Sequence, residues 1–482
     1  MKHALIASLR WLALGTLLMG GSCARLTSNA LRSSERLPQA SDPLAGGGAV
    51  AVAMLRTTAV ATLRQPVTTA KLGFALLWHR PREIISGNMP VDLDLEPQPV
   101  ENPGTPGFER LLDQRRFPRA EDGTLSWLVD GSRFFPELDR QIAAAKKSID
   151  FQIFIFDNDD IAVRYADFLK RRAAQVRVRV LFDDVGSTFA AFAAPATFGP
   201  PGFVPPADIE EYLKADSRVG VRRVLDPWLV SDHTKLLVFD ERSALVGGMN
   251  VGREYFSEWH DLMARVDGPI VASLSREFKR AWHKAGPAGD FALFRKPSLL
   301  RHPAPVSRGI PLRILRTDPA EGRYDFLDAT LLACRAARHR IWIENPYFAS
   351  DEIVRAVEAA ARRGVDVRVI LPKRGDSGIM DMGNIATARG LVEAGAKVYQ
   401  YPGMTHMKVM LCDGWGCFGS ANLDILSTRI NRELNLAFCD PATIRGLERQ
   451  VFLPDMRRSG AFQPAAVDSL VAPLAETIAD QF

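Results

Sequence analysis

The feature that most constrains this 482-residue chain is an internal duplication. One segment runs from a helical stretch, Phe135 to Lys147, into the apolar run Ile149 to Phe156, then through a second helical stretch to Val176–Phe182. A later segment repeats the order: helical Leu327 to Arg338, the run Arg340 to Ile343, helical Asp351 to Arg363, then Val365 to Leu371. Helix-period and strand-period stretches alternating in this way are the pattern of α/β units. Each segment then reaches a glycine and a short strand, Gly220 to Val224 and Gly395 to Tyr399. The repeat predicts two similar α/β lobes in tandem, each a mainly parallel sheet flanked by helices, with a site formed between them.

Each lobe ends in the same constellation. His233-Thr234-Lys235 is followed by Asp240 and then Gly247-Gly248-Met249-Asn250; His406-Met407-Lys408 is followed by Asp413 and then Gly419-Ser420-Ala421-Asn422. Five specified positions at about one in twenty each give a single chance match odds on the order of 10⁻⁴ in such a chain. A second match in register is far rarer. Leu236–Phe239 and Val409–Cys412 read as strands, so His233 and Lys235 share a face, as do His406 and Lys408. A neutral imidazole is a competent nucleophile toward phosphorus, and a lysine beside it supplies fixed positive charge for phosphoryl oxygens. The Gly-x-x-Asn runs bring the amides of Asn250 and Asn422, and backbone N–H groups at Gly248 and Ser420, toward the same oxygens. One histidine attacks while the other protonates the leaving alkoxide, so the duplication has a chemical reason. The scheme calls for neither metal nor cofactor. Asp240 and Asp413 complete the motif, but each ends a strand at a turn, where Asp is favoured anyway. A supporting role suits them better than direct catalysis.

At these residues the sequence resembles the phospholipase D superfamily, in particular its bacterial cardiolipin synthase branch, over about residues 125–450. The run Gly247 to Tyr255, with Glu254 before the tyrosine, is similar to that branch, as are Trp259-His260-Asp261 and Gly268-Pro269. In the second lobe the similar stretches are Asn345-Pro346-Tyr347-Phe348, Gly419 to Asp424, Ser427, and Asn431-x-Glu433-x-Asn435. The resemblance implies that His233 is the nucleophile, His406 the general acid, and that Glu254 and Glu433 orient the imidazoles. It also implies phosphatidyl transfer between two phosphatidylglycerol molecules, giving cardiolipin through a phosphohistidine. Lipid hydrolysis, or another headgroup exchange such as phosphatidylserine synthesis, would use the same machinery. A nuclease fits less well, because minimal nucleases of the superfamily carry one motif per chain, and no nucleic-acid partner is expected. The chain departs from the branch in lacking two membrane-spanning helices at its start and in reading Ala174-Gln175-Val176 where Gly-Val is usual. These departures bear on the acceptor and the membrane face, not on the reaction centre.

Composition adds the partner class. A net charge of +5 suits an anionic surface, while 47% hydrophobic and 24% charged residues exclude a wholly disordered or polytopic membrane chain. Residues 1–24 resemble a signal or membrane-anchor segment: Lys2 and Arg10 flank the apolar run Trp11 to Gly21, ahead of a small-x-small site at Ala24 or a lipoprotein-like Cys23. A bacterial, membrane-associated protein follows, exported or anchored through that segment. Residues 25–119 read as an N-terminal extension and Pro-rich linker, 120–296 as the first lobe, 297–312 as a linker, 313–460 as the second lobe and 461–482 as a tail. Within the extension, Arg56, Arg64 and Lys71 fall in a sector of about 80° of an apolar helix interrupted at Pro66, suited to a membrane interface or to packing on the body. Five cysteines are too few for a disulfide framework and read as buried hydrophobes, although Cys412 and Cys417 flank a tight turn and suit a cross-strand disulfide after export.

Overall fold

The computed structural model describes residues 43–75, 101–192, 199–227, 230–294 and 309–463. The signal-like segment, Cys23 and most of the tail lie outside the described residues. Both lobes belong to one continuous sheet. Its strands in chain order are β1 (Glu121–Val129), β2 (Ser148–Ile153), β3 (Arg177–Asp183), β4 (Gly220–Val224), β5 (Leu236–Phe239), β6 (Ser243–Gly247), β7 (Leu262–Asp267) and β8 (Ile310–Asp318). They continue with β9 (Arg323–Tyr324), β10 (Arg340–Glu344), β11 (Asp366–Pro372), β12 (Lys397–Tyr401), β13 (Val409–Cys412), β14 (Trp415–Gly419), β15 (Glu433–Phe438) and β16 (Gly460–Ala461). Across the first lobe the order is β1-β7-β6-β5-β2-β3-β4, and across the second it is β8-β15-β14-β13-β10-β11-β12. The two orders match strand for strand, as the repeat requires. They meet where β1 pairs antiparallel with β8, Glu121 opposite Leu312.

Parallel pairing holds for only half of each lobe. β2, β3 and β4 run parallel, as do β10, β11 and β12, and helices cross between them. The remaining strands join as antiparallel hairpins, β5 to β2 and β13 to β10 among them. The expected lobes are therefore mixed sheets, because the His-x-Lys strands turn back through tight hairpins that only antiparallel strands can use. β5 and β13 sit centrally and are buried along their whole length, Leu236–Phe239 and Val409–Cys412. Strands covered on both faces are apolar throughout, and each such side chain adds about 1.5–3 kcal/mol by leaving water.

The two motif aspartates explain the hairpins. Asp240 and Asp413 have φ of 55° and 50°, the left-handed conformation a primed turn requires. The Asp240 carboxylate accepts the backbone N–H groups of Lys146, Lys147 and Ser148 at 2.6–2.9 Å, and Asp413 accepts those of Arg338, His339 and Arg340 at 2.8–2.9 Å. Each binds its hairpin to the entry of the neighbouring parallel strand. Five strand residues beyond the lysine, or about 16 Å, they stand away from the site.

Other expectations are corrected by packing. The stretch 96–119 is not merely a linker: the helix Pro106–Gln114 buries Phe108 and Leu112 in the core of the second lobe. The four described cysteines are free, and Cys412 faces Cys334 at 4.0 Å between sulfurs rather than Cys417. Near the N-terminus, the helix Pro43–Arg64 lies against the helix Asp184–Phe192. A second helix, residues 66–75, begins at Pro66, where a missing N–H costs nothing. Arg56 pairs with Asp184 at 2.6 Å, and Thr68 with Asp290 at 2.5 Å, so this helical pair is docked on the first lobe.

Candidate active site

Both His-x-Lys segments enter their central strands at the junction of the lobes. The His233 N–H donates to the Arg432 carbonyl at 2.9 Å, and the His406 N–H donates to the His260 carbonyl at 2.7 Å. Arg432 N–H returns to Ser231 and His260 N–H to Met404, so each motif is stitched to the opposite lobe. Lys235 Nζ donates to the carbonyl of His233, and Lys408 Nζ to that of His406, each at 2.7 Å. All four side chains are buried.

The imidazoles are oriented by exchange. Glu433, at the start of β15 in the second lobe, holds Nδ1 of His233 with its two oxygens at 3.0 and 3.2 Å. Asp261, just ahead of β7 in the first lobe, holds Nδ1 of His406 at 2.7 Å. An Nδ1–H donated to a carboxylate leaves Nε2 as the working nitrogen. The residue before each acid is a cation held in an acidic pocket. Arg432 pairs with Asp226 and lies 3.6 Å from Asp232, while His260 pairs with Asp130 at 2.7 Å and Asp455 at 3.0 Å. His260 also stacks on Tyr401, with 4.7 Å between ring centroids. Aromatic walls complete the site: Phe154 stands edge-on to His233 at 4.8 Å, and Trp259 lies 5.1 Å from His406.

Several expected residues sit elsewhere. Glu254 does not orient an imidazole; its carboxylate gathers with those of Asp157 and Asp159. Burial, then the charges of Asp159 and Glu258, raise its pKa to about 7. Ser420 donates its hydroxyl to Glu433 and accepts the Leu434 N–H at 3.0 Å, so it seats the acid. A Cβ at Gly248 would lie 2.3 Å from Asp261 Oδ1, so glycine there admits the other acid. The Asn250 amide is occupied by Ile155 N–H at 3.0 Å and the Tyr255 hydroxyl at 2.8 Å, and the Asn422 amide is turned to Asp424. Through these contacts both asparagines brace their loops. Asp261 carries the role expected of Glu254. Its signal was in the repeat: Asp261 follows Asn250 by the same eleven residues that separate Glu433 from Asn422.

A family model described as cardiolipin synthase, PLD-like domain, matches residues 138–282 and 332–452, more than half of the chain and both motifs. The chain belongs to this cardiolipin synthase, phospholipase D-like family. Among its relatives is cardiolipin synthase A of Pseudomonas putida (strain W619), 32% identical over 335 residues, 67% of each chain. Cardiolipin synthase A of Pseudomonas aeruginosa (strain UCBPP-PA14) is 30% identical over 385 residues, 74% of each chain. The crystal structure of phosphatidylserine synthase from Haemophilus influenzae shares the fold at 12% identity, covering 78% of this chain and 97% of that one, with a TM-score of 0.58.

The electrostatics of this phospholipase D-like site separate the two histidines. Burial, then the nearby lysines, lower the pKa of His406 well below its ordinary value. His233 is lowered by burial too, but Glu433 opposes the shift. Burial would raise Glu433; His233, Lys235 and Ser420 outweigh it and hold the carboxyl below its usual range. Asp261 is raised by burial to about 7 despite Lys408 and Lys235. Lys408 is lowered by burial to about 8, and Lys235 falls well below its ordinary value for the same reason. His233 thus faces an ionised carboxylate. The His406–Asp261 pair instead holds an extra proton up to about neutral pH.

Proposed function

We propose that this enzyme transfers a phosphatidyl group from one phosphatidylglycerol to the glycerol hydroxyl of another, releasing glycerol and making cardiolipin. The observation that carries the reading is the reciprocal pairing of His233 with Glu433 and His406 with Asp261 across the lobe junction. Nε2 of His233 attacks phosphorus, made more nucleophilic by the ionised Glu433 behind Nδ1. The phosphorus–oxygen bond to the headgroup glycerol breaks, and His406 gives its Nε2 proton to the departing alkoxide. The incoming lipid's hydroxyl returns a proton to His406 and displaces His233 from phosphorus. Lys235 and Lys408 hold the phosphoryl oxygens, and the diester's negative charge offsets their crowding. Cardiolipin synthase A relatives covering two thirds or more of the chain support the lipid and the acceptor. The enzyme works at a membrane surface, as its lipid substrate demands.

The test is incubation of purified protein with phosphatidylglycerol vesicles and resolution of the products. Cardiolipin with glycerol is expected. Phosphatidic acid would replace transfer by hydrolysis, and DNA cleavage with lipid untouched would overturn the reading. His233→Ala should abolish labelling of the protein by substrate phosphate, whereas His406→Ala should permit slow labelling with poor turnover; the reverse pattern would exchange the roles.

A further inference from the structure

The helical pair at the N-terminus presents a second surface that the active site does not use. The helix Pro43–Arg64 turns Ala53, Met54, Thr57 and Ala61 inward, and residues 66–75 turn Thr68 and Leu72 inward. The opposite face is apolar and open to solvent: Leu55 is 70% exposed, Leu63 81% and Phe74 67%, with Val52 and Val67 also exposed. Positions 52, 55, 59 and 63 recur along one side of the first helix, and 67, 70 and 74 along one side of the second. Single exposed apolar residues are ordinary, but a stripe along two successive helices is an interaction surface.

Charge says what covers it. Lys71 is exposed beside the stripe, Arg64 is exposed at the end of the first helix, and no Asp or Glu occurs between residues 43 and 75. An apolar face flanked by cations, with no acid, fits an anionic bilayer surface better than a neutral or acidic-rimmed protein partner. No helix among the described residues is long and apolar enough to cross a membrane, which suits helices lying in the interface. On its inward side the second helix approaches the chemistry. Leu72 packs with Val230 and Ile430, which precede His233 and Glu433 by three residues each.

We propose that this face docks the enzyme on an anionic bilayer, with Leu55, Leu63, Val67 and Phe74 among the acyl chains and Arg64 and Lys71 against lipid phosphates. The proposal rests on the lipid substrate proposed above. The test uses the full chain with Leu55→Gln, Leu63→Gln and Phe74→Gln combined, and separately Arg64→Gln with Lys71→Gln; all are exposed, so folding is retained. Binding is read by co-flotation with phosphatidylglycerol-containing vesicles and with neutral phosphatidylcholine vesicles. Turnover is read on phosphatidylglycerol vesicles and on monomeric short-chain phosphatidylglycerol. The apolar triple variant is expected to lose about tenfold or more of its vesicle binding. Vesicle turnover should fall in step while short-chain turnover stays. The cation variant should lose binding to anionic vesicles only, in a salt-dependent way. Unchanged vesicle binding in the triple variant overturns the proposal and assigns anchoring to another part of the chain. Equal loss of short-chain turnover overturns it in favour of a purely structural face. Dispersal of an oligomer, seen by light scattering with binding intact, overturns it in favour of a second copy. Wild-type protein that binds vesicles but turns over neither substrate would sink the lipid reaction and leave the docking standing.

Discussion

Asp261→Asn removes one charge and one proton from the pair with His406 while keeping the side chain's shape. Asp261 Oδ1 accepts the Leu262 N–H at 2.7 Å, and Oδ2 faces His406 Nδ1 at 2.7 Å. The asparagine carbonyl keeps the first contact, so its NH₂ faces the imidazole. Nδ1 must then accept, and the ring's one proton sits on Nε2 of a neutral imidazole, a far weaker acid than imidazolium. Protonating a poor leaving group contributes about 10²–10⁴ in rate, or about 3–5 kcal/mol of barrier. The loss should follow the leaving group. Turnover of phosphatidylglycerol, which expels an alkoxide, should fall by about 10²–10⁴. The nitrophenolate burst from phosphatidyl-p-nitrophenol, whose anion leaves unaided, should change by less than about tenfold. In the wild type, phosphatidylglycerol turnover should decline as pH rises through about 7, where Asp261 loses its proton, and that limb should vanish in the variant. Equal loss on both substrates would refute the acid role of His406. Leaving-group dependence in Glu433→Gln but not in Asp261→Asn would show that the two histidines act in the opposite order.

Glu254→Gln should leave turnover within about threefold of wild type, because Glu254 touches neither imidazole; a drop of the size expected for Asp261→Asn would restore it to the reaction. Asp413→Asn should lower unfolding free energy by about 2 kcal/mol through weakened bonds to three backbone N–H groups, with activity per folded molecule unchanged, as denaturant unfolding and active-site labelling would report. His260 carries a pH dependence of stability. Burial would lower its pKa, but Asp130 and Asp455 push it up to about 11, so its contribution is fully present below an unfolded-state value of about 6.5. That contribution is lost as pH rises toward 11; relative to His260→Gln, the wild type should therefore lose unfolding free energy across this window in chemical denaturation, and parallel curves would show His260 uncharged.

The duplicated fold and the four His and Lys positions were legible because they depend on local periodicity and on a repeat. The helical and strand runs bury stripes that sequence spacing displays directly, and β5 and β13 announce themselves as unbroken apolar runs. The antiparallel half of each lobe was harder to see: the turns at Asp240-Glu241 and Asp413-Gly414 are legible, but which strands the returning hairpins pair with is set by contacts distant in sequence. Partner choice was harder still. Glu254 lies in the expected motif, yet its carboxylate is drawn into a cluster by the helix entry at Asp157 and Asp159. Asp261 ends the run Trp259-His260-Asp261, whose resemblance to the family assigns it no role of its own. Contacts that cross between lobes have no sequence separation to betray them, except where the duplication supplies an internal ruler. Ser420 and Gly248 show the same limit: both occupy equivalent positions, and each is fitted to the acid it receives, a hydroxyl to support Glu433 and an empty space to admit Asp261.

The exchange of carboxylates between halves has a consequence for how the molecule tolerates damage. Neither half contains a His-x-Lys histidine with its own acid, so a fragment ending before β8 would carry His233 and Asp261 and lack a partner for either. Two fragments expressed together could regain activity only by rebuilding the β1–β8 edge and both crossed pairs at once. A lesion at Glu433 is a lesion of the first lobe's histidine, and its suppressors belong in the first lobe. Inheritance of the two halves is thereby linked: neither can drift in sequence near the junction unless the other moves with it.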